Sequence, residues 1–272
     1  MGTQDRGPIR LAWRTVESAA QKGTKMSAEI TMERAAELSP RWVGRLAGLL
    51  YLISGQAYSF AELSVLGKNM APGDAAATAH NILAHETLFR MAFAAELVET
   101  ILFIAVTLLF YRIFKPVNRS VALLATFFSL TGCTVYAVGS ILHLAPLLVL
   151  GGAPYLNVFK AEQLQALALL FLNLRAQATN IYMVFFGCYN MLLGYLIVNS
   201  KFLPRILGVF IGIAGLAYQT FLSPPLAEHL FRYLVGPAGA LGELSLMLWL
   251  IVFGVNAQRW KEQASADQLR AS

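Results

Sequence analysis

The chain reads as an all-α polytopic membrane protein, a bundle of six transmembrane helices with both termini cytoplasmic. Three observations predict this. Of 272 residues, 57% are hydrophobic and only 13% are charged, against about 25% charged in a soluble domain. The charges collect between long apolar stretches, as a bilayer requires. The loops alternate between rich and poor in Lys and Arg.

Residues 1–40 form a polar extension of mixed charge, read as a cytosolic segment that is disordered or weakly helical. No apolar core precedes a small-residue cleavage site there, and Met26 and Met32 stand as alternative starts. Residues 41–260 hold the membrane domain and residues 261–272 a cytosolic tail. Crossing the hydrocarbon takes about 20 apolar residues. That places spans at Val43–Leu63, Leu88–Tyr111, Val121–His143, Ile181–Val198, Ile206–Leu222 and Pro237–Val255.

Two connections are long. Ser64–Thr87 contains Pro72-Gly73-Asp74 before an Ala-rich run. Asp74 suits an N-cap, so a helix from Ala75 is expected to run unbroken into the second span. Leu144–Asn180 is apolar around Leu164–Leu174, with Glu162, Gln163, Gln165, Asn173 and Arg175 interspersed. It reads as a helix lying in the outer interface, the alternative being a continuation of span four.

Basic residues fix the orientation. One side carries Arg6, Arg10, Arg14, Lys22, Lys25, Arg34, Arg41 and Arg45, then Arg112, Lys115, Arg119, Lys201, Arg205, Arg259, Lys261 and Arg270. The other carries Lys68, Arg90, Lys160, Arg175 and Arg232. The positive-inside rule assigns the first side to the cytoplasm. Trp42, Tyr111, Phe114, Tyr155 and Trp260 fall where interfacial anchors belong. The net charge of +6 is therefore a matter of topology, and no nucleic-acid partner is implied.

Pro40-Arg41-x-x-Gly44-x-x-x-Gly48 echoes Pro204-Arg205-x-x-Gly208-x-x-x-Gly212. Glu96 precedes Arg112 by the same spacing as Glu243 precedes Arg259. This suggests a parallel repeat of a two-helix hairpin, a common transporter device. Chance placement of Gly, Arg and Pro at span ends is the competing account. The GxxxG spacings predict close helix contacts.

Glu96 and Glu99 share one face of span two, a face that continues outward through Ala92, Leu88, His85 and Asn81. Glu243 lies in the outer part of span six, and His143 and Gln219 in the outer parts of spans three and five. A carboxylate at mid-bilayer costs at least about 2.5–3.5 kcal/mol. These groups must therefore face the bundle interior, water or a partner. One reading is an outward-facing polar cavity for a small polar ligand, cation or proton, lined by Glu96, Glu99, Glu243, Asn81, His85, His143 and Gln219. The other is structural, with the carboxyls bonded to Asn190, Tyr182, Gln219 or backbone carbonyls.

His85-Glu86, His143, His229 and Glu96 could be imagined as metal ligands, but their spacing matches no metal motif. Glu86 and Arg90 have the spacing of a surface ion pair. Cys133 and Cys188 read as small buried hydrophobes. No nucleotide or zinc-protease motif is present, so no cofactor is expected and no catalytic residue can be named.

Asp74-x-x-x-Thr78-x-x-Asn81-Ile82, Leu88-Phe89-Arg90 and Tyr111-Arg112-x-Phe114-Lys115-Pro116-Val117 are one set of ordered motifs. Phe186-Gly187, Gly194-Tyr195-Leu196 and Ser200-x-x-x-Pro204-Arg205-Ile206-Leu207-Gly208, continuing to Gly215 and Tyr218, are another. Together they resemble the bacterial domain-of-unknown-function family 4386 over roughly Arg41 to Trp260. The resemblance implies a multi-pass protein of the bacterial inner membrane and brings no activity with it. Three functions stay open: transport or binding of a small polar ligand, a non-catalytic scaffold for a membrane partner, and a membrane-embedded metalloenzyme. The oligomeric state is not readable.

Overall fold

The computed structural model describes residues 39–65 and 70–271. The polar extension, its alternative starts Met26 and Met32, and Lys68 lie outside the described residues. The regular structure among the described residues is helical. In order it comprises α1 (Pro40–Ser64), α2 (Ala75–Ala84), α3 (Glu86–Phe114), α4 (Arg119–Leu150) and α5 (Ala161–Asn199). Then come α6 (Arg205–Tyr218), α7 (Pro224–Leu230), α8 (Gly236–Val252) and α9 (Ala257–Ala271). A 3-10 turn at Gln219–Leu222 extends α6, and a π turn at Phe231–Val235 joins α7 to α8.

Five segments are long and apolar enough to cross a membrane: Glu86–Phe114, Arg119–Leu150, Ala161–Asn199, Arg205–Leu222 and Pro224–Val252. The sixth expected span, α1, is 25 residues long but is not among the five. Arg45, Gln56 and several Gly and Ser residues dilute its apolar character.

The six long helices close a ring. α1 packs on α3, α3 on α4, α4 on α5, α5 on α6, α6 on α8, and α8 on α1. Neighbours alternate in direction around the ring: along α1, for example, Gly44, Gly48 and Gly55 meet Val255, Leu250 and Met247 in reverse order. Interdigitating aromatic and aliphatic side chains fill the centre, among them Tyr51, Phe103, Phe110, Phe186, Tyr189 and Leu193. The outward faces are apolar and unpacked: Ile101, Leu108, Phe127, Ile141 and Leu216 are all exposed. Water would penalise such a belt, whereas lipid solvates it.

Glycine sets the closest approaches. A Cβ on Gly208 would stand 2.7 Å from the Gly194 carbonyl oxygen, and one on Gly48 would stand 2.7 Å from Leu250 Cβ. Both echoed glycine motifs therefore serve contacts within the chain. The exception is Gly212, whose Cβ position faces open space.

Two expectations about the connections need correcting. The helix from Ala75 does not run unbroken into the second span. Asp74 does cap it, accepting from Ala77 N–H at 2.8 Å, but His85 leaves the helical region at φ −122°, ψ 34°. The break lets α2 pack on α5 and bury Ile82 against Phe89, Leu147 and Leu172. Nor is Leu144–Asn180 an interfacial helix. Leu144–Leu150 continues α4, and Ala161 begins a single helix that runs to Asn199. The buried face of that extension includes Ala168, Leu172 and Arg175.

The other ring end gathers the start of α1, the end of α3, the α5–α6 turn and α9. Trp260 Nε1 donates to Ile113 O at 2.8 Å, and Arg45 Nη2 donates to Val252 O at 2.9 Å. Trp42 and Tyr155 are exposed, as anchors should be. Phe114 is not an anchor: it is buried against Phe110 and Phe202.

Candidate functional site

The centre of the candidate site is Glu96 on α3, 1% exposed. Its Oε1 accepts from Arg175 Nε at 2.8 Å and also from Arg175 Nη2. The same Nη2 donates to Glu62 Oε1 at 2.7 Å. His143 completes the cluster from α4. Its Nδ1 stands 2.8 Å from Glu96 Oε1, and its Nε2 stands 3.1 Å from the Phe89 carbonyl oxygen. Both neighbours are acceptors, so a ring protonated on both nitrogens would satisfy each. In that form two carboxylates, one guanidinium and one imidazolium sum to zero charge. The cluster links α1, α3, α4 and α5.

Glu99 lies one turn deeper and 3% exposed. Thr100 Oγ1 donates to its Oε2 at 3.3 Å and the Tyr182 hydroxyl to its Oε1 at 3.4 Å. Among the described residues no Lys, Arg or His forms an ion pair with it. Glu243, on α8, accepts from the Tyr218 hydroxyl at 2.5 Å and also lacks a described cationic partner. Tyr58, half-buried on α1, faces two further tyrosines. Its ring lies 5.9 Å from Tyr136 and 6.3 Å from Tyr182. Nearby polar atoms are buried without a hydrogen-bond partner among the described residues: the Tyr189 hydroxyl, both amide atoms of Asn190, and Glu96 Oε2.

Glu96, Glu99 and His143 are thus brought together, with Glu243 across the ring. The other sequence candidates go elsewhere. His85 is exposed, and both its backbone N–H and its Nδ1 are spent on Asn81 O. Asn81 is half-buried on α2, so the expected face through Leu88, His85 and Asn81 ends at the helix break. Gln219 bonds the Val184 and Gly215 carbonyls at 3.3 and 3.4 Å, bridging α5 and α6. Glu86 pairs with Arg90 at 2.7 Å on the surface. His229 is exposed on α7.

Arg175 and Glu62 are the residues that sequence reasoning missed. Arg175 was assigned to an interfacial helix, yet it is 3% exposed. The available signal was an arginine inside an apolar run, which demands a buried acid. Among the described residues no group of three or more His, Cys, Asp or Glu side chains is arranged to hold a metal ion. Cys133 is buried and Cys188 half-buried, both as free thiols.

Comparison with known proteins adds a family but no activity. No curated protein and no solved structure matches the chain. A family model described as a domain of unknown function (DUF4386) matches residues 46–254. That match covers well over half of the sequence and all six helices of the ring, so the chain belongs to the DUF4386 family.

Proposed function

We propose that the protein binds a proton or small cation at Glu99 and Glu243, inside a tyrosine-lined interior, as part of transporting or sensing a small polar solute. One observation carries this reading. Glu99 is a buried carboxyl in an apolar helix, held only by two hydroxyl groups and without a described cationic partner. In lipid such a charge is costly, and a proton or cation neutralises it. Glu96 is different, because Arg175 donates to it and His143 stands within hydrogen-bond distance of it.

Depth along the helices supports a path. At about 1.5 Å per residue, Arg175 and His143 sit ~36 Å from the basic ends of their helices, Glu96 ~27 Å, Glu99 ~22 Å and Glu243 ~14 Å. With a hydrocarbon core of about 30 Å, the polar groups step from the less basic boundary toward the middle. The Asn190 and Tyr189 atoms without a described partner offer further ligand bonds there.

The same reading takes α1 as a sixth span and places both chain termini in the cytoplasm of a bacterial inner membrane. Its length, its place in the ring and its exposed Leu46, Leu49 and Ile53 support the span. Arg41, Arg112, Lys115, Arg119, Lys201, Arg205 and Arg259 at one end support the orientation.

A static scaffold is the second reading, favoured by the hydrogen-bonded Glu62–Arg175–Glu96–His143 cluster, which ties helices without needing a ligand. Dicyclohexylcarbodiimide separates the two, because it reacts with protonated carboxyls in apolar surroundings. Mass spectrometry of the treated protein should locate the adduct on Glu99, and Glu99→Gln should remove it while the protein stays monodisperse. Sodium or potassium should slow the reaction if a cation competes for the site. A folded protein whose Glu99 is inert across the pH range would leave the scaffold reading.

A further inference from the structure

At the basic end, a pocket of about 710 Å³ opens between the α5–α6 turn and α9. Val198 and Leu203 form apolar wall, while Lys201, Arg205 and Arg259 bring three cations against the single carboxylate of Glu262. Lys201 N–H donates to Gln263 Oε1 at 3.0 Å, and Asn256 N–H to Phe202 O at 3.4 Å. With Trp260 anchored on Ile113, these bonds hold α9 against the turn, so the walls come from two separate parts of the chain, 198–205 and 259–262. Glu262 accepts from Gln258 at 3.3 Å. None of the three cations forms an ion pair among the described residues.

Three cations lining one concave site, none in an ion pair among the described residues and Arg259 also donating to the Lys201 carbonyl at 3.5 Å, call for an oxyanion. Guanidinium groups match tetrahedral oxyanions through paired N–H donors, and a lysine adds a point charge. The apolar wall and the position at a span end suit a ligand that is charged at one end and greasy at the other. We propose that this pocket binds a phosphate group, carried by an anionic phospholipid headgroup or by free phosphate. This requires only that the bundle spans a membrane, and it stands or falls independently of Glu99 and Glu243.

The test uses the full chain purified in mild detergent and transferred to nanodiscs of phosphatidylcholine with or without phosphatidylglycerol. Native mass spectrometry of protein released from them counts retained lipid. Wild type should keep phosphatidylglycerol in preference to phosphatidylcholine. Lys201→Gln, Arg205→Gln and Arg259→Gln should each weaken retention about fivefold, and the triple variant should abolish the preference. Arg112→Gln with Arg119→Gln, at the same end but outside the pocket, should retain it. Inorganic phosphate at millimolar concentration is the second probe. Protection of the wild type against heating, lost in the triple variant, identifies free phosphate as the occupant. Lipid retention without such protection identifies the headgroup. The proposal is overturned if the folded triple variant matches wild type on both probes, or if the Arg112/Arg119 variant loses as much.

Discussion

Arg175 on α5 donates to Glu62 on α1 at 2.7 Å, joining two helices that are not neighbours in the ring. The partners stand 113 residues apart in the chain. Because the same guanidinium also holds Glu96 on α3, one arginine braces three helices from inside.

Arg175→Gln should therefore be costly, since it leaves the buried Glu96 carboxylate and the half-buried Glu62 carboxylate without their shared cation. Breaking a buried pair costs about 3–5 kcal/mol, and thermal unfolding in detergent should fall accordingly. Adding Glu62→Gln should restore part of the loss. If the two changes prove additive in a double-mutant cycle, the brace has no energetic reality.

The α5–α6 contact predicts opposite outcomes for two glycines one turn apart. Gly208→Ala thrusts a methyl group at the Gly194 carbonyl, 2.7 Å away with backbone on both sides. Overpacking of this kind costs about 1–3 kcal/mol. Gly212→Ala meets nothing within 4 Å and should be neutral or slightly stabilising, since alanine favours a helix over glycine. Melting temperatures of the two variants, compared directly, decide it. Equal losses would mean that α6 packs with a different face toward α5.

Tyr218→Phe removes the 2.5 Å bond to Glu243 and leaves the ring packed against Phe186, tilted by 44° with centroids 5.4 Å apart. A buried hydrogen bond contributes about 0.5–1.5 kcal/mol. A loss of stability in that range, reversed by combining the change with Glu243→Gln, is expected. An unchanged melting curve would show that Glu243 is held by something else.

Local chemistry was legible in the sequence, and long-range pairing was not. The Asp74 cap and the Glu86–Arg90 pair are encoded within four residues, so spacing alone revealed them. Apolar runs likewise located the helices of the ring to within a few residues, except at the end of α4 and the start of α5. The true length of α5 was hidden because Glu162, Gln163, Gln165, Asn173 and Arg175 lower its hydropathy, although Arg175 turns inward to acids on other helices. The break at His85 has no Gly or Pro to announce it; it follows from where Ile82 finds its packing. Glu62 stood unremarked at the end of a span because nothing within its own helix pairs with it.

The 39 residues of α5 span ~58 Å, about twice the thickness of a hydrocarbon core. Either the rod leans steeply or its first turns, with the far end of α4 and the small helix α2 leaning on them, rise clear of the lipid as a turret. A turret on the less basic face would give the molecule a rigid profile in the surrounding medium, where an antibody or a soluble partner could grip it without touching the bilayer.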